Sequence, residues 1–165
     1  MRAWRSTIGC TFALGALVGA ALSPREGVHA PSQATAAPVA ATPAIRGAYP
    51  AEVLYVLDGD TFAARVHLWP GLDITTRVRL RGIDAPELKA RCGEERRRAE
   101  AARDALTVML AEGNITVRDV GLDKYGGRVL AAAATQLTPD VSAALLRDGV
   151  ARPYAGGRRA GWCDF

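Results

Sequence analysis

Apolar and other residues alternate from Thr61 to Leu68. Phe62, Ala64, Val66 and Leu68 stand against Ala63, Arg65 and His67, which predicts a strand with one buried face. The same period of two runs from Thr75 to Arg81, where Arg77, Arg79 and Arg81 share one face and Val78 and Leu80 the other. Ala51 to Leu57 is strand-like and is followed by an Asp58-Gly59-Asp60 turn; Trp69-Pro70-Gly71 makes the next turn. Three short strands with turns between them predict an antiparallel meander. His67 falls on its solvated face.

The period then changes. From Glu94 to Glu112, Ala99, Ala102, Leu106 and Met109 recur at spacings of three and four, the stripe of an amphipathic helix. Glu94 and Glu95 sit in its first turn and Gly113 stops it. Arg96, Arg97 and Arg98 read as a solvated helix face. Asn114 to Val120 predicts a fourth strand with Ile115 and Val117 inward, and Arg128 to Thr135 a fifth. Thr138 is expected to cap a short helix with Pro139 at its first position, Val141, Ala144 and Leu145 as its buried stripe and Gly149 after its end. Five strands with a helix between the third and fourth is the element order of an OB-type barrel, although small α+β folds of other topology share it.

The first 48 residues stand apart. Arg2 and Arg5 precede an uncharged apolar run from Ile8 to Leu22, the layout of a signal peptide or of a membrane anchor. Residues 23–48 are rich in Ala, Pro, Thr and Ser, without large aliphatics in number, and read as a disordered tether. The folded domain is therefore expected over 49–165, exported to the periplasm or outside, or anchored to the inner membrane by residues 8–22. The net charge is +4, but outside the first thirty residues 18 basic side chains face 16 acidic ones. Bulk charge is thus weak evidence for a polyanionic partner. With Cys10 in the leader, Cys92 and Cys163 are an even pair in an oxidising compartment. We expect them to form a disulfide that pins the tail to the start of the long helix, closing a loop of about 70 residues and contributing roughly 4 kcal/mol.

Candidate chemistry gathers at the end of the third strand. Gly82 and Pro86 terminate it, and Asp84 and Glu87 are left beside arginines. In a meander, the Asp58-Gly59-Asp60 turn comes to the same end. Asp60, Asp84 and a backbone carbonyl would converge there as hard oxygen ligands, suited to calcium or magnesium rather than zinc, for which there is no Cys/His cluster.

Val56-Leu57-Asp58-Gly59-Asp60-Thr61, Arg79-Leu80-Arg81-Gly82-Ile83-Asp84-Ala85-Pro86-Glu87 and Asp123-Lys124-Tyr125-Gly126-Gly127-Arg128 together resemble the three signature blocks of the staphylococcal nuclease (thermonuclease) family. The likeness runs from about Tyr49 to Tyr154. It implies a mainly β fold with helices, an OB-fold five-stranded barrel, and a calcium-dependent phosphodiesterase that hydrolyses DNA and RNA and leaves 3′-phosphate ends. By position, Asp60 and Asp84 would bind calcium by carboxylate, Ala85 by its carbonyl and Asp58 through a water. Glu87 would be the general base, and Arg79 and Arg128 would hold the phosphate. Tyr125 would lie near the nucleotide phosphate and Tyr154 would stack on a base. Ala85 stands where family members often have Thr, the Gly126-Gly127 turn is one glycine longer, and a Gly/Arg tail replaces the lysine-rich C-terminal helix of the type member. The extra glycine leaves the register of Arg128 open by one residue, most simply absorbed by a bulge.

The competing reading is a non-catalytic OB-fold module that only binds nucleic acid; such copies usually lack an acidic ligand, the base or an arginine, and this chain has them all. The expected partners are single- or double-stranded DNA and RNA. A membrane is met only through the N-terminal segment, and no protein partner is inferred for a monomer.

Overall fold

The computed structural model describes residues 45–163. The expected signal peptide or anchor, and the tether up to residue 44, lie outside the described residues. Among the described residues, no helix is long and apolar enough to cross a membrane.

Five strands close into a barrel in the order β1 (Ile45–Asp58), β2 (Thr61–Trp69), β3 (Leu72–Leu80), β6 (Arg128–Ala134) and β5 (Ile115–Leu122). The first three form the expected antiparallel meander. A parallel pairing of β3 with β6, Arg77 opposite Arg128, closes the barrel. Its interior is filled by Phe62, Ala64, Val66, Val78, Leu80, Ile115, Val117, Ala131 and Ala133, the inward positions of the alternating strands. An OB-type barrel is therefore the fold.

Strand β1 is longer than its sequence pattern indicates. It begins at Ile45 and takes in residues 45–48, assigned by composition to the tether. Its first half pairs with β5 (Ala48 with Arg118, Ala51 with Ile115) and its second half with β2 (Ala51 with Val66, Asp58 with Thr61). One strand serving two neighbours must bend, and register shifts at Val53/Tyr55 and Val56/Asp58 supply the bend. The need for a partner along β5, rather than any apolar alternation, makes Tyr49 and Pro50 a strand.

Helix α1 (Gly93–Leu110) covers one end of the barrel. It buries Ala99, Ala102, Leu106 and Met109, the expected stripe. Its cap is Cys92, whose sulfur accepts from the Glu95 amide, while Glu95 reaches back to the Arg91 amide at 3.0 Å. This differs from a capping box in two ways: sulfur replaces the hydroxyl, and the returning carboxylate takes the amide of the residue before the cap. Helix α2 (Val141–Arg147) buries Val141, Ala144 and Leu145. Its cap is Asp140, not Thr138: the Asp140 carboxylate accepts from the Ala143 amide at 3.0 Å. Thr138 instead donates its hydroxyl to Glu112 at 3.0 Å, closing the loop between β6 and α2 onto the end of α1. Two short strands beyond the expected five, β4 (Ile83–Asp84) and β7 (Arg152–Pro153), pair antiparallel. They bring the C-terminal segment against the Asp84 turn.

Candidate active site

The Asp58-Gly59-Asp60 turn and the exit of β3 meet at one end of the barrel. Thr61 pairs with Arg79, and the Leu80 amide donates to the Asp60 carbonyl at 2.8 Å. Gly59 lies so close to α1 that a Cβ there would sit 2.4 Å from the Ala102 Cβ and 3.0 Å from that of Ala85. The glycine of this turn is thus a packing requirement, and it seats the turn on the helix.

The side chains converge as the sequence indicates. Arg79 is almost fully buried and places its guanidinium on Asp60, at 2.9 Å and 3.1 Å to its two oxygens, with Asp84 3.7 Å away. Asp60 also accepts from the Thr61 hydroxyl at 2.8 Å and from the Ala85 amide at 3.2 Å. Burial nevertheless outweighs Arg79 and those hydrogen bonds and pushes Asp60 above the ordinary carboxylate range. Asp58 is also raised, first by burial and then by the charges of Glu87 and Asp60. Three acidic groups therefore crowd one another at a partly dry site.

Asp84 is fully buried. Its Oδ2 accepts from Arg152 at 2.8 and 3.1 Å and from the Trp162 indole at 3.2 Å. Arg152 is its cross-strand partner and stacks over the Trp162 ring at 4.1 Å. Its Oδ1 is buried too, and the guanidiniums of Arg159 and, at 3.7 Å, Arg79 reach it. Two buried carboxylates, Asp84 and Asp60, with the backbone carbonyl of Ala85 beside them, are an all-oxygen donor set of the kind that fits a hard divalent cation.

Arg79 and Glu87 line a cleft of about 690 Å³ with Tyr125, Arg128, Tyr154 and Arg159. Arg128 is ion-paired with Asp123 and lies 5.0 Å over the Tyr125 ring, whose other neighbour is the Lys124 ammonium, also at 5.0 Å. Burial pushes Asp123 up, but the hydrogen bond and charge of Arg128 and the amides of Lys124 and Tyr125 hold it below the ordinary range. Gly127 takes up a φ of +82° and Arg128 starts β6 opposite Arg77; β5 shifts register against β6 between Arg118 and Gly121, where Asp119 has a φ of +54°. Tyr154 is fixed at the rim of the cleft: its amide donates to Gly82 O at 2.8 Å and its hydroxyl to Gly157 O at 2.7 Å.

The disulfide joins Cys92 and Cys163, as expected from the cysteine count. The Cys92, Glu95 and Cys163 trio is accordingly a bridge beside a helix cap, with no thiolate to offer a metal. His67 is half-exposed and paired with Asp73 at 2.8 Å, on the outer face.

Arg152, Arg159 and Trp162 are site residues that the sequence reading leaves in an unassigned tail. Arg159 donates to the carbonyl of Ala85 at 2.7 Å and is ion-paired with both Asp84 and Glu87. A usable signal exists: a tail pinned at Cys163 to the start of the helix must pass the turn that holds Glu87.

Over 110 residues the chain is 34% identical to Protein ParB of Escherichia coli, an alignment covering 62% of this chain and 56% of that protein. The chain thus spans little more than half of that relative's length. The His67–Asp73 hairpin and the barrel's first strand lie before the family match, but the β3 exit, the cleft and the pinned tail up to residue 160 lie within it. Residues 77–160, half of the chain, match the family described as staphylococcal nuclease homologue, and the chain belongs to that family.

Proposed function

We propose that this protein is a calcium-dependent phosphodiesterase that cleaves DNA and RNA and leaves 3′-phosphate ends. The single observation that carries the reading is the convergence of Asp60, Asp84, Glu87 and Arg79 at one end of the barrel, opening on a cleft that also holds Arg128. In this reading the carboxylates of Asp60 and Asp84 and the carbonyl of Ala85 hold calcium, with Asp58 acting through a water. Bound there, the ion supplies positive charge to the phosphodiester as negative charge builds on it. Glu87 takes the proton of the attacking water. Arg79 and Arg128 hold the phosphate and stabilise the developing charge on its oxygens. Tyr125 and Tyr154, at the rim of the cleft, meet the nucleotide.

We read the protein as exported. The Cys92–Cys163 bridge is compatible with an oxidising compartment, and the Arg2/Arg5 and Ile8–Leu22 sequence pattern is the layout of a leader or an anchor. The protein acts as a monomer in the periplasm or outside the cell, or tethered to the inner membrane. Digestion of single-stranded DNA and RNA by the purified protein, with calcium and with excess chelator, tests the function. Binding without cleavage in calcium, magnesium and manganese would instead assign the non-catalytic module, a reading favoured by the ion pair that engages Glu87 with Arg159.

A further inference from the structure

The C-terminal arm beyond β7 is built around one buried carboxylate. Arg152 and Trp162 saturate Asp84 Oδ2. Arg152 also donates to the carbonyls of Ala160 and Gly161, which folds the arm back on itself, and the Tyr154 hydroxyl holds Gly157. The disulfide at Cys163 fixes the far end. Between these anchors Arg159 is aimed inward, while its neighbour Arg158 is exposed. The Arg159 guanidinium meets Asp84 through Oδ1, Ala85 through its carbonyl and Glu87 through Oε1.

Those three residues are the metal-bearing and base-bearing groups of the proposed site. We infer that Arg159 is an internal counter-cation that competes with the divalent ion for the oxygens of Asp84 and Ala85, so that it sets the cation affinity of the site. The inference rests on the metal reading given above. One face of Asp84 and the carbonyl of Ala85 cannot serve a guanidinium and a metal ion together, so each state excludes the other. With Arg159 seated, the crowded acids are neutralised and Glu87 is held in an ion pair. When the ion binds, Arg159 must leave, and Glu87 is released with it. Apparent calcium affinity is then the intrinsic affinity multiplied by the fraction of molecules with Arg159 displaced. The disulfide raises the local concentration of the arginine by shortening the free chain that carries it.

The sign of the effect separates this role from a structural one. If Arg159 merely propped up the turn, its removal would loosen the ligands and weaken calcium binding. A competitor does the opposite. The experiment is calorimetric titration of calcium into the full-length protein without nucleic acid, comparing wild type, Arg159→Gln, Arg159→Lys, Arg158→Gln and Asp84→Asn. Arg159→Gln should bind calcium about tenfold more tightly than wild type. Arg159→Lys should fall between them, because an ammonium keeps the charge but lacks the planar, spread-out donor fork that spans Asp84, Ala85 and Glu87. Arg158→Gln removes the same net charge from an exposed position and should match wild type. Opening the bridge by Cys163→Ser should shift affinity in the direction of Arg159→Gln. Calcium affinity in Arg159→Gln equal to or weaker than wild type would overturn the inference while leaving the metal reading intact. Calcium binding unaffected by Asp84→Asn, or absent from every protein, would overturn both.

Discussion

Arg128 and Asp123 form an ion pair across one tight turn, and the same guanidinium rests on the ring of Tyr125. The turn therefore delivers the arginine to the cleft already oriented, since its carboxylate partner is only five residues away. Arg128→Ala is expected to lower the cleavage rate of single-stranded DNA by about 10²- to 10³-fold, the scale for losing one donor to developing charge. Asp123→Asn keeps the arginine but loosens it, and is expected to cost about tenfold. Initial rates at saturating substrate measure both.

The same pair has a pH signature. Asp123 titrates below its ordinary value in the folded protein, so its contribution to stability is fully present above the unfolded value of about 3.9 and is lost as pH falls through the lower, folded value. Urea unfolding of wild type and Asp123→Asn should show wild type the more stable at neutral pH. The gap should close only below about pH 4. A gap that closes near neutrality would assign the stabilisation to another group.

Gly59 is bound by contact with α1. Gly59→Ala should force its new methyl into Ala102 and cost about 1–3 kcal/mol, read from the urea midpoint. Ala102→Gly opens the space, so the double variant should be more stable than the sum of the two single losses indicates, by at least about 0.5 kcal/mol. Strict additivity would refute the contact as the reason for the glycine.

The disulfide closes a loop across a sequence separation of 71 residues. Replacing Cys92 and Cys163 together by alanine is expected to lower unfolding stability by about 4 kcal/mol, some of it from the Cys92 cap on α1. A loss under about 1 kcal/mol would mean that the unfolded chain gains little freedom when the bridge is absent.

The barrel was legible because its strands alternate cleanly. Phe62, Val66, Val78 and Val117 announce their faces, and Ala99, Ala102, Leu106 and Met109 announce a helix. The start of β1 was not legible, because Gly47, Tyr49 and Pro50 carry no strand pattern and are ordered by pairing with β5. The cap of α2 is ambiguous in the sequence for a related reason: Thr138 and Asp140 are both good capping residues, and contacts with Glu112 and Thr135 draw Thr138 away. At the site, motif spacing was enough to bring Asp60, Asp84, Glu87 and Arg79 together. The part played by Arg152, Arg159 and Trp162 depends on the path of the tail, and a Gly/Arg-rich segment has no periodicity from which a path can be read.

The central claim is that Glu87, beside a calcium site made by Asp60, Asp84 and Ala85, drives hydrolysis of a phosphodiester. The most direct measurement is cleavage of single-stranded DNA by the full-length protein and by Glu87→Ala, each with calcium and with excess chelator, alongside DNA binding by both. Wild type is expected to cut only with calcium, and Glu87→Ala to bind DNA comparably while cutting at least about 10²-fold more slowly. Cleavage by wild type in excess chelator, or by Glu87→Ala at the wild-type rate, would contradict the account.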